Sequence, residues 1–214
     1  MDQLFEQARL SLPHVYWIGG PGCSGKTTTT RLLGSQFGLQ VFHVDDELAD
    51  YTFDPTLRPA QWRDIDYFGK EGRPLFHLPA AEVAAYVIHD WQTPLFGETL
   101  RRLLTLPHDR RVIVEGVFLP ETLLQVATPD RIALMTANRT FHHQYFAHRT
   151  EWIASYADKV GAYNTVLNAL EEMNSQWIAQ ANQCNLRLFT IQSPQEINDV
   201  AADLARQFGL VSTR

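Results

Sequence analysis

The sequence predicts an α/β fold of three layers, in which helices cover both faces of a doubly wound, five-stranded parallel sheet. First, five short apolar runs alternate with segments of helical periodicity along the 214 residues, which is typical of repeated β-α units. Second, a glycine-rich loop joins the first run to the first helix. Third, two of the runs end at acidic residues, and the carboxyl ends of parallel strands form the ligand-binding edge of such a sheet.

The composition is that of a globular protein with one core. Hydrophobic residues make up 45% of the chain and charged residues 20%, so we expect residues 1–214 to form a single domain. The formal net charge is −6 and no block of Lys or Arg occurs, which argues against a nucleic acid partner. The two cysteines, Cys23 and Cys184, lack metal-ligand spacing. No apolar stretch approaches the length of a membrane span, so we expect a cytoplasmic location and no membrane partner.

Strands and helices are expected to alternate along the chain. The five strands are expected at His14–Ile18, Leu39–Val44, Arg111–Gly116, Arg131–Met135 and Leu186–Ile191. The helices are expected at 2–10, 27–37, 80–106, 120–126 and 163–182, with a last one starting after Ser193. Pro94 and Gly97 are expected to divide the segment 80–106 into two helices.

The glycine-rich loop fits the pattern G-x-x-x-x-G-K-[ST], which is the phosphate-binding P-loop motif. The motif requires a strand before the loop and a helix after it, and both are predicted here. Its glycines let backbone N–H groups approach phosphates, and the helix start adds a positive dipole end. Lys26 is expected to reach the β- and γ-phosphates of a nucleotide, and the Thr27 hydroxyl to bind Mg²⁺. The predicted nucleotide-binding residues are Gly20, Pro21, Gly22, Cys23, Ser24, Gly25, Lys26, Thr27 and Thr28.

Acidic residues follow the second and third strands. Asp45 either accepts a proton from a substrate hydroxyl or holds a water on Mg²⁺, unless it or Asp46 simply caps a helix that begins near residue 47. Glu115 ends the third strand and is followed by Gly116. It is expected to order the water shell of Mg²⁺ or to act as a base, unless it is a surface residue in a turn. His43, within the second strand, is expected to pack rather than to react.

Residues 47–106 are expected to form an insertion on the substrate side of the sheet. Their segment 51–79 combines aromatic residues with prolines and charges, and long irregular loops in compact domains are usually functional or disordered. The aromatic residues argue against disorder. The cations of this segment either contact an anionic substrate or lie on the surface in solvent: Arg58, Arg63, Lys70 and Arg73.

Two arginines, Arg139 and Arg149, follow the fourth strand. Ten residues separate them, which is close to three helical turns, so both side chains can point the same way. Arginines in this position can neutralise charge on a transferring phosphoryl group.

These motifs resemble those of the P-loop small-molecule kinases, a group that includes adenylate, shikimate, gluconate and uridine kinases and chloramphenicol phosphotransferase. The resemblance implies a P-loop NTPase fold with the strand order 2-3-1-4-5 and a helical lid at about residues 137–158 that carries Arg139 and Arg149. It implies that Asp45 is the acceptor acid and that an adenine-binding loop follows the fifth strand near residues 192–194.

The expected function is ATP- and Mg²⁺-dependent transfer of the γ-phosphoryl group to a small-molecule acceptor. Lys26, Asp45, Arg139 and Arg149 are the expected catalytic residues, and Thr27 and Glu115 are expected to hold Mg²⁺, Glu115 through water. The alternative is a regulatory nucleotide-binding NTPase that acts as a switch. The sequence leaves the acceptor, the choice between ATP and GTP, and the choice between monomer and homodimer open.

Overall fold

The structure is a computed structural model that describes residues 2–48, 56, 58–147 and 153–210. Its strands are β1 (Val15–Gly19), β2 (Gln40–His43), β3 (Ile65–Asp66), β4 (Arg73–Pro74), β5 (Val112–Gly116), β6 (Ile132–Ala137) and β7 (Leu188–Ile191). Within the described residues, five of these strands form one parallel sheet in the order β2-β5-β1-β6-β7. The predicted parallel sheet of five strands is therefore present.

When only the five strands of this sheet are counted along the chain, their order is 2-3-1-4-5. The labels used here differ from that count because they include two short strands that the sequence did not predict. β3 and β4 lie inside the predicted insertion and pair with each other in a separate parallel sheet of two strands. The insertion is thus an ordered structure beside the main sheet, at least in its described part.

The helices are α1 (Asp2–Ser11), α2 (Lys26–Phe37), α3 (Val44–Glu47), α4 (Ala80–Asp90), α5 (Phe96–Thr105), α6 (Pro120–Leu123), α7 (Arg139–Phe146), α8 (Lys159–Gln183) and α9 (Glu196–Gln207). The expected division of the segment 80–106 into two helices is confirmed, since α4 ends at Asp90 and α5 begins at Phe96. The connection was not predicted: it is a π-helical stretch, Trp91–Leu95, which contains Pro94. The wider π turn accommodates a proline that lacks the N–H of a regular helix. Among the helices in the described part of the chain, none is both long and apolar enough to cross a membrane.

Alternate residues of each strand are buried on opposite faces of the sheet. In β1, Trp17 points into a core formed with α1, α5 and α8, whereas Tyr16 and Ile18 point into a core formed with α2 and α9. This alternation follows from the two-residue period of a strand, and it produces the predicted three layers. The indole of Trp177 on α8 anchors the first core, because it is fully buried and its Nε1 donates a hydrogen bond of 2.9 Å to the Phe118 carbonyl.

A third core lies outside both faces and was not predicted. It joins the insertion, α4, the segment after α7 and the first half of α8. Phe76 of the insertion and Tyr156 are both buried there, with ring centroids 5.6 Å apart. This core covers the carboxyl edge of the sheet, where the predicted site lies.

We predict that Trp177→Ala lowers the free energy of unfolding by about 3–5 kcal/mol, because it leaves a cavity and an unpaired carbonyl in the core. Its neighbour Ile178 is 42% exposed, so Ile178→Ala is the matched control and should cost less than about 1 kcal/mol. Urea unfolding followed by circular dichroism measures both. Equal losses in the two variants would contradict this account of the core.

Candidate active site

The loop between β1 and α2 follows a path that only its glycines allow. A Cβ atom on Gly20 would lie 2.0 Å from the Met135 carbonyl oxygen of β6, so the loop packs directly on the neighbouring strand. Gly25 has φ +82° and caps the start of α2, a conformation that glycine adopts at little cost. The first turn of α2, whose N–H groups have no partner within the helix, therefore lies at the carboxyl edge of the sheet, next to the loop.

The Lys26 side chain lies across this loop. It is buried, and its Nζ donates a hydrogen bond of 2.7 Å to the Pro21 carbonyl and lies 3.5 Å from Ser24 Oγ. The ammonium group is therefore fixed over the concave side of the loop by neutral oxygens. An anion in the loop would be a stronger partner for it than a carbonyl oxygen.

Three side chains meet at the ends of β2, β5 and the loop. Thr27 Oγ1 donates a hydrogen bond of 2.9 Å to Glu115 Oε1, and His43 Nδ1 lies 3.0 Å from the same oxygen. His43 donates to a carboxylate only when Nδ1 carries the proton, so this contact selects that tautomer or the doubly protonated ring. His43 was expected to pack rather than to react, and its largely buried ring does pack, but against the predicted metal acid, a contact that the sequence did not indicate.

The Glu115 carboxylate is charged although it is buried. Burial alone would raise its pKa, but the hydrogen bonds from His43 and Thr27 and the nearby charge of Lys26 outweigh burial and lower the pKa below its usual value. The alternative of a surface glutamate in a turn is wrong, since only 5% of the residue is exposed.

These oxygens fit a magnesium site. The Thr27 hydroxyl and the ionised Glu115 carboxylate are hard oxygen donors, and they adjoin the loop expected to hold phosphates. No group of three or more His, Cys, Asp or Glu side chains within the described residues could hold a metal by itself. That arrangement suits Mg²⁺, which commonly binds one or two protein oxygens together with phosphates and water.

The loop forms one end of a cleft with a volume of about 320 Å³. Seven of the nine predicted nucleotide-binding residues line it: Gly22, Cys23, Ser24, Gly25, Lys26, Thr27 and the exposed Thr28. Gly20 and Pro21 are not part of this lining. Asp45 and Glu115 line the same cleft, so the structure brings the two predicted acids and the loop together.

Asp45 lies on α3, a short helix that begins directly after β2. The alternative of a helix that begins near residue 47 is wrong, because α3 begins at Val44 and His43 occupies the cap position. The Asp45 side chain is exposed and lines the cleft. Asp46 is exposed and is not part of the lining.

The far end of the cleft is walled by aromatic and aliphatic side chains. They come from the insertion, α4 and α8: Tyr67, Phe68, Phe76, Val83, Tyr86, Val87, Trp91, Val166, Leu170 and Met173. Tyr86 is buried, and its hydroxyl has no hydrogen-bond partner within the described part of the chain. The sequence predicted an insertion on the substrate side but not which residues form these walls, because the walls combine the insertion with α8, a segment distant in the chain.

One carboxylate interrupts this apolar wall. Asp90, at the end of α4, lines the cleft, and its Oδ1 lies 3.7 Å from Nε of the buried Arg58. Burial raises the pKa of Asp90 to about 6, although the positive charge of Arg58 acts in the opposite direction. The Arg58 guanidinium also donates to the Ile65 carbonyl at 3.0 Å and lies 5.3 Å from the Tyr86 ring centroid. Arg58 is therefore held behind the wall rather than in the cleft.

The segment after α7 is bound to the insertion. The Tyr156 hydroxyl donates to the Tyr67 carbonyl at 2.9 Å and accepts from the Phe76 N–H at 3.2 Å. Ser155 Oγ contacts the Phe68 carbonyl. These bonds join the predicted lid to the predicted insertion over the cleft.

The arginines of the predicted lid do not line the cleft. Arg139 is the first residue of α7, and its Nη1 lies 2.6 Å from Glu171 Oε2 and 3.2 Å from Asn168 Oδ1 on α8. It faces α8 because that long helix offers a carboxylate within reach. Arg149 lies outside the described residues. The predicted adenine-binding loop near residues 192–194 is not part of the cleft lining either.

Sequence reasoning gave His43 no role in the site, and for Asp90 it favoured a solvated helix face over a position in a pocket. His43 is the last residue of β2 and lies level with Glu115 in the sheet, so its position at a strand end was a usable signal. Asp90 lies four residues after Tyr86 on one helix face, but a solvated face gives the same pattern.

No family model matches this chain, and no curated protein is similar to it in sequence. Among solved structures, shikimate kinase from Bacteroides thetaiotaomicron, determined at 1.7 Å resolution, is similar with a TM-score of 0.49 and 10% sequence identity. The similarity covers 92% of this chain and 98% of that chain. A TM-score below 0.5 is too low to support a functional inference, so function is inferred from the geometry of the site itself.

We predict a distinct pH dependence for the stability of Asp90→Asn. A carboxyl with a raised pKa binds its proton more tightly in the folded state, so its contribution to stability is largest below its unfolded pKa near 4 and falls as the pH rises to about 6. The difference in unfolding free energy between wild type and Asp90→Asn should therefore shift by about 2 kcal/mol in favour of the variant between pH 4 and pH 7.

Urea unfolding at pH 4, 5, 6 and 7 measures this shift. Asp109→Asn, at an exposed position in the loop before β5, is the matched control and should show a smaller shift. A difference that does not change with pH would show that Asp90 is not held in a desolvated position.

Proposed function

We propose that this protein is an ATP- and Mg²⁺-dependent phosphotransferase that moves the γ-phosphoryl group to a hydroxyl of a small molecule. The observation that carries the proposal is that the phosphate-binding loop and a largely apolar compartment line one cleft. Hydrolysis needs only a water molecule beside the γ-phosphate, whereas an adjoining compartment of this kind suits an organic acceptor.

The nucleotide phosphates would bind at the loop end of the cleft. Residues 20–28 would supply backbone N–H groups and the start of α2, and Lys26 would exchange the Pro21 carbonyl for phosphate oxygens. Because Lys26 is buried, its charge would act on the phosphates with little screening by water.

Thr27 and Glu115 would hold Mg²⁺, Glu115 through water. When bound, the cation supplies positive charge to the phosphate oxygens during transfer. His43 would keep the Glu115 carboxylate ionised and oriented through its 3.0 Å contact, as is usual for groups that support a metal ligand.

Asp45 would act on the acceptor hydroxyl. In the transfer step the acceptor oxygen forms a bond to the γ-phosphorus while the bond from that phosphorus to the β,γ-bridging oxygen breaks, which releases ADP. The hydroxyl proton passes to the Asp45 carboxylate and from there to solvent. An exposed acid in the cleft beside the loop suits this role.

Arg139 and Arg149 are proposed to neutralise charge on the transferring group. For Arg139 this role requires its guanidinium to leave Glu171, an exposed ion pair of the kind that contributes little to stability. Movement of α7 on nucleotide binding would achieve this, as lids do in many transferases.

The alternative function is a regulatory NTPase that uses hydrolysis as a switch. It requires the same loop but no acceptor. The two functions therefore differ in whether a small molecule binds beside the nucleotide and receives phosphate.

We predict that Mg-ATP raises the melting temperature of the wild-type protein and that Lys26→Ala weakens Mg-ATP binding about tenfold or more, because a charged partner of the phosphates is lost. Lys159→Ala, at an exposed position on α8, is the matched control. Fluorescent nucleotide titration and thermal-shift measurements test both variants. Wild-type-like binding and transfer by Lys26→Ala would contradict the assignment of the loop.

We predict that Asp45→Asn lowers phosphoryl transfer about 10²–10⁴-fold, the usual contribution of a general base, while it changes nucleotide affinity little. Asp46→Asn is the matched control, since Asp46 is the neighbouring exposed acid outside the cleft lining. Transfer of labelled γ-phosphate is measured with the acceptor found by thermal-shift screening in the presence of Mg-ATP. An unchanged transfer rate in Asp45→Asn would remove Asp45 as the base, and nucleotide binding without any acceptor would favour the switch.

A further inference from the structure

We infer that the acceptor is an uncharged alcohol with an apolar, aromatic body, which packs between α4 and α8 with a polar group on Asp90. That this molecule accepts a phosphoryl group rests on the proposed function. That it binds in the cleft is inferred from the structure alone. It concerns the far end of the cleft, which the phosphate-binding loop does not occupy.

The far end of the cleft is lined mainly by apolar side chains and aromatic rings, which suits an apolar, flat ligand. α4 contributes Val83 and Val87, α8 contributes Leu170 and Met173, and the insertion adds aromatic rings, of which Phe76 is buried. Apolar surface of this kind gains free energy from burying a ligand ring, and aromatic walls add stacked or edge-to-face contacts. A sugar with many hydroxyls would lose water here without regaining its hydrogen bonds.

The Asp90 carboxylate provides the polar contact. Its side chain is 11% exposed, and its contact with Arg58 Nε at 3.7 Å is longer than a hydrogen bond. No residue in the described part of the chain donates a hydrogen bond to it. A buried carboxylate in this situation is a strong acceptor for a ligand hydroxyl, because buried polar groups are nearly always hydrogen-bonded.

The charges around the far end of the cleft disfavour an anionic acceptor. Among the described residues that line it, Lys26 at the loop end is the one cation, whereas Asp45, Asp90 and Glu115 are acidic. Arg58 lies behind the wall, where the negative charge of Asp90 offsets its positive charge. Arg73 forms an ion pair with Asp64 at 3.2 Å. Arg58 and Arg73 are therefore not available to an anionic substrate in this cleft, and a carboxylate or phosphate at the far end would face the like charge of Asp90.

The test uses probe molecules in matched pairs that differ in charge. Tryptophol is paired with indole-3-acetate, and 2-phenylethanol with phenylacetate, so that ring and chain length are nearly constant. Binding to the full chain is measured by saturation-transfer NMR and titration, without nucleotide and with a non-hydrolysable Mg-ATP analogue. We expect each alcohol to bind at least fivefold more tightly than its acid.

Two variants locate the binding. Asp90→Asn should weaken the alcohols about tenfold, as expected for loss of a charged hydrogen-bond acceptor, and the exposed Asp109→Asn should not. Val87→Trp should fill the cleft and abolish alcohol binding. Circular dichroism and the melting temperature establish that each variant is folded.

The outcomes separate this inference from the proposed function. Acids that bind as tightly as the alcohols, or no binding by any probe, would overturn the inference even if Mg-ATP binds. Alcohol binding that is unaffected by both Asp90→Asn and Val87→Trp would overturn it as well. Alcohol binding at Asp90 in a protein that binds no nucleotide would support the inference and would instead refute the phosphotransferase.

Discussion

The buried carboxylate of Glu115 is the constraint on which the site depends. A carboxylate that is only 5% exposed needs donors and positive charge around it. Thr27 and His43 supply the donors and Lys26 supplies the charge. These groups meet only because β5 lies between β1 and β2 with the strand ends level, so that Glu115 is paired with His43 and Gly116 with Gly19 in the sheet. The electrostatics of the candidate site therefore depend on this strand order.

The other end of the cleft has a different origin. Its walls depend on side-chain contacts between segments far apart in the chain, and the Tyr156 hydroxyl is central because it bonds both Tyr67 and Phe76. The third core around these residues lets the insertion stay folded beside the sheet. The loop end is set by backbone geometry, and the far end by side-chain packing, so substitutions in the insertion can alter the far end without altering the loop.

This difference explains what could be predicted from the sequence. The loop, the five strands and Glu115 were predictable because a local motif and a strand end determine them. The direction of Arg139 was not, because it depends on Glu171 of a helix about thirty residues later, brought near by packing. The pairing of β3 with β4 and the π turn at Pro94 were not predictable either, since neither follows a two- or four-residue period. The contact of His43 with Glu115 follows from β2 and β5 being neighbours, so it was predictable only through the strand order that the resemblance implies.

The charges of the cleft also constrain how a nucleotide can bind. Within the described lining, three carboxylates from Asp45, Asp90 and Glu115 oppose a single ammonium group from Lys26. A nucleoside triphosphate brings several negative charges into this surrounding, and the N–H groups of the loop and the start of α2 offset only part of them. Two of the three acids adjoin the loop end, where a divalent cation beside Thr27 and Glu115 would reverse the local sign of the potential. A triphosphate without such a cation would meet net repulsion there. The acidity of the cleft therefore favours binding of the nucleotide and Mg²⁺ together over binding of the nucleotide alone.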